Sequence, residues 1–129
     1  MTIRTPLAQV EGLGAAHSGT DHFAKQRGTA VALVVLSAWF LYSAFSLIGA
    51  DRATAAAYLA EPINAVAIAL FIITALMHMT IGMQVVIEDY VTGEKAKVAL
   101  LLLNRFFAWS VGVAALFALL KISLAQTLH

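Results

Sequence analysis

The chain has 129 residues, of which 61% are apolar and only 12% charged, with a formal net charge of +1. A soluble domain carries about a quarter charged residues; so few charges would leave apolar patches bare in water, which excludes a water-soluble monomer. The weak, scattered positive charge excludes nucleic acid as the main partner. The absence of cysteine excludes disulfides, thiolate zinc sites, iron–sulfur clusters held by this chain and covalent haem attachment. The class is integral membrane, and the length leaves room for one compact unit.

Three windows are long enough to cross a bilayer, which takes about 20 apolar residues in a helix. Residues 1–27 form an N-terminal segment. The first predicted span, Gly28 to Ala50, holds 23 residues without a charge between Arg27 and Asp51. Its length exceeds a signal-peptide core, and Ile48–Gly49–Ala50–Asp51 offers a weak cleavage context. An external connection, 51–61, is rich in alanine; it suits a short helix at the membrane surface with Tyr58 at headgroup level. The second span, Pro62 to Ile87, carries one histidine, and Pro62 suits a first helical turn because its missing N–H costs nothing there. A loop over 88–97 leads to the third span, Val98 to Leu120, which contains a single formal charge, Arg105, followed by a tail over 121–129. No strict alternation of apolar and polar residues supports a barrel. The expected fold is therefore all-α integral membrane with three transmembrane helices.

Basic residues set the orientation. Arg4, Lys25, Arg27, Lys95 and Lys97 lie before span one or between spans two and three, against Arg52 and Lys121 on the other side. The N-terminus and the second loop are expected to face the cytoplasm, with the C-terminus outside.

His78 is the first residue with chemistry to explain. It lies about three residues past the middle of span two, roughly 4–5 Å toward the cytoplasmic side. An ionisable group at that depth is costly and faces a bundle interior or a cofactor. Thr74, His78, Gly82 and Val85 share a helix face, and Gly82 opens a recess one turn from the imidazole. Two readings stand side by side: His78 as an axial haem ligand through a neutral imidazole, or as a hydrogen-bonding residue between helices with Gly82 allowing close approach. A six-coordinate haem needs two axial ligands, and no second histidine lies within a span, so the other would come from another subunit.

Glu88, Asp89 and Tyr90 follow at the end of the same helix, Tyr90 about 18 Å along the axis from His78. Tyrosine there reads as an interfacial belt residue or as a hydroxyl that donates to the carbonyl of a lipid-soluble ligand such as a quinone. Asp89 reads as a proton relay beside it, or as a solvated carboxylate paired with Lys95 or Lys97. Gly12–Leu13–Gly14 with Ser18–Gly19–Thr20 lacks the lysine and preceding strand of a phosphate loop. His17 and His22 have no supporting carboxylates for a metal. Arg27 and Arg105 fit snorkelling to headgroups, and Trp39 and Trp109 fall within spans as packing residues.

The string HMTIGMQVVIEDYV, His78 to Val91, resembles the signature of the small hydrophobic anchor subunit of succinate dehydrogenase, respiratory complex II. In that family a histidine, a glycine four later and an Asp-Tyr pair eleven and twelve later sit on the second of three transmembrane helices. The string GLGAAHSGTDHFAKQRGTAVAL, Gly12 to Leu33, is similar to the segment that places a histidine and then an arginine before helix one, with Asp21–His22 in the reverse order to some relatives.

The resemblance implies that His78 is one of two axial ligands of a haem b, the other coming from a companion cytochrome b subunit whose helices pack with these three. It implies that Arg27 and His22 pair with the haem propionates, that Gly82 packs closely on the haem, and that Tyr90 and Asp89 belong to a ubiquinone-reduction site. The implied partners are the cytochrome b companion, an iron–sulfur subunit and a flavoprotein that oxidises succinate, together with the lipid bilayer of a bacterial cytoplasmic membrane. This chain then links the tricarboxylic acid cycle to the respiratory chain as an anchor without succinate-oxidising activity of its own. The anchor of a quinol:fumarate reductase and a non-redox assembly subunit are the alternatives.

Overall fold

The computed structural model describes residues 16–128; Arg4 and the Gly12–Gly14 segment lie outside the described residues, as does the side chain of His17. Among the described residues the architecture is four α-helices in chain order: α1 (Ala16–Ser46), α2 (Arg52–Ala60), α3 (Pro62–Tyr90) and α4 (Glu94–Thr127). Among the described residues there is no strand. The all-α expectation holds, and α1, α3 and α4 are each long and apolar enough to cross a membrane.

Apolar stretches alone do not decide where these helices stop. α1 begins well before the uncharged window, where Lys25 Nζ meets the carboxylate of Asp21 at 2.6 Å one helical turn away, a pairing that supports an exposed helix. At its other end the last turn tightens: the Leu47 N–H is shared between the carbonyls of Ser43 and Ala44. Gly49 then takes φ = 81°, a left-handed conformation that costs a residue without Cβ nothing. Asp51 caps α2, accepting from the Thr54 N–H at 2.9 Å. The Thr54 contacts hold the exposed Asp51 carboxyl below its ordinary pKa, because they favour the charged form. Glu61 ends α2 and precedes α3, whose first turn starts with Pro62.

Polar side chains tie these elements together. Buried Ser43 accepts a hydrogen bond from the Tyr58 hydroxyl at 2.8 Å. Buried Asn64 donates to the Tyr58 carbonyl and to the Glu61 carboxylate, each at 3.0 Å. At the opposite end only Val91, Thr92 and Gly93 separate α3 from α4. There Lys97 Nζ donates to the Glu88 carbonyl at 3.0 Å, satisfying an acceptor that α3 leaves open at its C-terminus.

The long helices stand in a row rather than a closed bundle. α3 is central: among the described residues α1 packs on one side of it and α4 on the other, and the backbones of α1 and α4 do not approach each other. α2 rests against α4 and the start of α3. Lys25, Arg27, Lys95 and Lys97 consequently gather at one end, with Arg52 and Lys121 at the other. Only two apolar side chains among the described residues, Ile87 and Leu119, are buried within the chain. Three helices in a row have little interior. Their apolar faces must be covered by lipid or by other subunits for the arrangement to be stable in place.

Candidate functional site at the α1–α3 seam

The seam between α1 and α3 is apolar along the half nearer α2 and polar where His78 lies. Phe40 and Phe71 stack across it with centroids 4.8 Å apart and ring planes 9° from parallel. Seven residues from Phe71, two turns along α3, the contact becomes chemical. His78 Nδ1 lies 3.1 Å from Thr29 Oγ1. The same hydroxyl oxygen is 2.8 Å from the Lys25 carbonyl and 3.0 Å from the Gln26 carbonyl. One turn further, Gln26 reaches over Gly82, its Nε2 3.4 Å from where a Cβ would stand.

Local sequence explains this assembly. Gln26 and Thr29 are three residues apart on α1, and His78 and Gly82 four apart on α3, so each pair shares a helix face. The helices run antiparallel, so Thr29 meets His78 and Gln26 meets Gly82. His78 is half-buried there, and no hydrogen bond to its Nε2 is formed among the described residues. Gln26 Oε1 is buried with no partner among the described residues, an arrangement that leaves a polar atom unsatisfied at appreciable cost. The recess above Gly82, which the sequence offers to a macrocycle or a helix, is filled within this chain by the Gln26 amide.

The other candidate residues are distributed around this seam. Asp89 and Tyr90 close α3, both exposed, Tyr90 to 81%. α3 is unbroken from His78 to Tyr90, which puts them about 18 Å apart along the axis. Asp89 makes no ion pair with Lys95 or Lys97 among the described residues. His22 and Arg27 lie on the exposed side of α1. The Arg27 guanidinium sits 4.7 Å from the centroid of the Phe23 ring, and Arg27 is about 200° around the helix from Thr29. The structure thus brings His78 and Gly82 together but leaves Arg27, His22, Asp89 and Tyr90 apart from them, all toward the same end of the helices. Among the described residues no group of three or more His, Asp or Glu side chains is placed to hold a metal ion.

The opposite face of α3 is built differently. Gly112 of α4 admits Leu76, whose Cδ1 is 3.0 Å from the position of an added Cβ, and Asn104 Nδ2 donates to the Thr80 carbonyl at 3.0 Å. Beside this contact an apolar groove of about 330 Å³ runs past Met77, Trp109 and Val113 to Arg105. A wider recess of about 910 Å³ lies between α2 and the end of α4. Neither includes His78.

Gln26 and Thr29 are the residues that sequence reading overlooks. A threonine in a helix ordinarily bonds back to its own backbone, as Thr29 does. The available signal is that Gln26 and Thr29 repeat at a spacing of three where the apolar span begins, placing a polar stripe on the face that must meet another helix.

Comparison with known proteins agrees with the layout. Residues 1–120 match the family described as succinate dehydrogenase/fumarate reductase transmembrane subunit. The chain is similar to the succinate dehydrogenase hydrophobic membrane anchor subunit of Paracoccus denitrificans, 37% identical over 120 residues covering 93% of this chain and 92% of that one. It is also similar to the corresponding subunit of Rickettsia bellii, 35% identical over 81% of this chain and 84% of the relative. The succinate dehydrogenase membrane anchor subunit of Reclinomonas americana is 33% identical over 70% and 78%. No solved structure matches. With the family match spanning nearly its whole length and relatives aligned end to end, this chain belongs to the succinate dehydrogenase/fumarate reductase transmembrane subunits, among the hydrophobic membrane anchors of succinate dehydrogenase.

Proposed function

We propose that this anchor supplies one axial ligand of a haem b through His78 and part of a ubiquinone-reduction site through Tyr90 and Asp89. A companion cytochrome b subunit would complete the haem site, and the flavoprotein and iron–sulfur subunits would dock at the cytoplasmic end, where the basic residues gather. The observation that carries this reading is the state of the His78 ring. Nδ1 has a partner within the chain while Nε2 has none among the described residues, as a ligating imidazole requires. A histidine serving only to join two helices would need no second nitrogen kept open in an apolar layer.

When bound, the haem supplies a one-electron store near the quinone site. The chain's own residues do the rest. His78 would hold the haem through its Nε2. Gly82 lacks a side chain where the macrocycle would come closest, and the Gln26 amide that lies there has an unpartnered oxygen and little to hold it. Arg27 and His22, at or beyond the level of His78 on α1, are charged or polar donors suited to propionate carboxylates. Tyr90, at the membrane boundary, donates its hydroxyl to a quinone carbonyl. The exposed Asp89 carboxylate beside it takes protons from water, two of which must accompany two electrons in each quinone reduction. Succinate is charged and aqueous while quinone is apolar, so an anchor whose reactive groups lie at the boundary joins the two pools. The basic-residue bias supports an N-terminus on the cytoplasmic side. Direction of turnover, toward fumarate or from it, is set by the potentials of the other subunits.

The test is to purify the tagged complex in mild detergent, identify the copurifying subunits by mass and record a reduced-minus-oxidised spectrum. A b-type haem band that His78→Ala removes or shifts is the expected result; an unchanged band ends the ligand assignment. Tyr90→Phe is expected to slow succinate-to-quinone turnover while reduction of a water-soluble artificial acceptor persists. Equal loss of both would mean failed assembly rather than a quinone contact.

A further inference from the structure

We infer that Thr29 is the positioning residue for His78, selecting the imidazole tautomer in which Nδ1 carries the proton and Nε2 carries the lone pair. This rests on the ligation proposed above and adds to it a named residue on a different helix.

The donors and acceptors around a single oxygen decide the tautomer. Thr29 Oγ1 has three neighbours within hydrogen-bond distance: the Lys25 carbonyl at 2.8 Å, the Gln26 carbonyl at 3.0 Å and His78 Nδ1 at 3.1 Å. Two are carbonyl oxygens, which only accept. A hydroxyl has one proton to give and lone pairs to receive with. If Nδ1 were unprotonated, all three neighbours would compete for that proton, and Thr29 would abandon its backbone partners to bond the ring. If Nδ1 is protonated, its N–H donates to Oγ1 while the hydroxyl proton goes to the carbonyls, and every group is satisfied. In a half-buried apolar setting the satisfied arrangement prevails. Such a chain, ring N–H to hydroxyl to carbonyl, polarises along its length and makes the imidazole more electron-rich at Nε2.

Two consequences follow for the group that Nε2 would hold. The ring plane is pinned by a contact from α1, so α1 and α3 must be in register before the ligand is correctly aimed. A more electron-rich imidazole also favours ferric over ferrous iron, so Thr29 lowers the midpoint potential of the haem.

The experiment compares Thr29→Val, which keeps the shape and removes the acceptor, with Thr29→Ser, which keeps the hydroxyl, in the purified complex. Redox titration of the haem band and the low-spin ferric EPR signal are the readouts. Thr29→Val is expected to raise the potential by the equivalent of roughly tenfold in the ferric/ferrous ratio, about 59 mV for a one-electron couple, and to alter the EPR signal. Thr29→Ser is expected to match the parent. A Thr29→Val complex with parental potential and EPR signal overturns the inference while leaving the ligand assignment standing, because His78→Ala tests that separately. If Thr29→Val does not assemble, Thr29→Ala replaces it against the same Ser control. An Ala variant shifted from Ser supports the inference, and two equal potentials overturn it.

Discussion

The two faces of α3 make contacts of the same inventory to opposite ends. Each meets a neighbour through a glycine and a polar side chain: Gly82 with Gln26 and Thr29 toward α1, and Gly112 with Asn104 toward α4. On the α4 side no buried side-chain nitrogen or oxygen lacks a partner among the described residues. A leucine methyl closes on Gly112, and the Asn104 amide finds a carbonyl. On the α1 side a buried amide oxygen has no partner, and an imidazole nitrogen is left open. Buried polar groups are nearly always paired, so the unfinished seam is the one expected to receive something from outside the chain. A glycine between helices therefore has no single meaning; the polar atoms around it decide whether it is there for packing or for a ligand.

The strongest test of that distinction is to fill both glycines. Gly112→Leu must displace a methyl already at 3.0 Å from the new Cβ, and overpacking of this kind costs about 1–3 kcal/mol. Thermal unfolding of the detergent-solubilised complex should report the loss, with the haem spectrum of the surviving complex unchanged. Gly82→Leu should instead perturb the haem band, since the new side chain occupies the recess beside His78. If both variants altered the spectrum equally, the division between a packing face and a ligand face would fail.

The contrast also explains how much of the molecule was legible in the sequence. The three spans follow from uninterrupted apolar windows, because the cost of placing a charge in lipid is large and local. Helix ends are less visible. α1 extends back through Asp21 and Lys25, where an ion pair one turn apart takes over from hydropathy, and α4 runs on past Lys121 to Thr127. His78 and Gly82 stand out for residue type and spacing alone. Thr29 does not, since its meaning comes only from the register of α1 against α3, a relation between residues 49 positions apart. Tyr58 illustrates the same limit: residue type alone does not reveal that its hydroxyl donates to Ser43, a partner from another helix.

A smaller effect is expected from the half of the α1–α3 seam nearer α2, where Phe40 and Phe71 stack. Such pairs contribute about 0.5–1.5 kcal/mol beyond the area they bury. A double-mutant cycle with Phe40→Leu and Phe71→Leu, read by thermal unfolding of the complex, should return a coupling in that range and leave the haem potential at its parental value. A coupling near zero would mean that the seam is held by the polar contacts around His78 alone, and a shifted potential would mean that its two halves are not separable.

The smallest effect is expected where the closed face uses its polar group. Asn104→Leu removes the donor to the Thr80 carbonyl, but that oxygen keeps its own helical partner and a leucine suits a helix as apolar as α4. Hydrogen bonds between transmembrane helices average about 0.6 kcal/mol, so the complex should lose little stability and keep its haem spectrum and quinone turnover. His78→Leu is equally apolar and similar in size, yet it should abolish or shift the haem band. Two polar-to-leucine changes, one at each seam of α3, thus separate an amide that joins helices from the imidazole proposed to hold a haem. A large stability loss at Asn104 would place the specific chemistry of α3 on both sides.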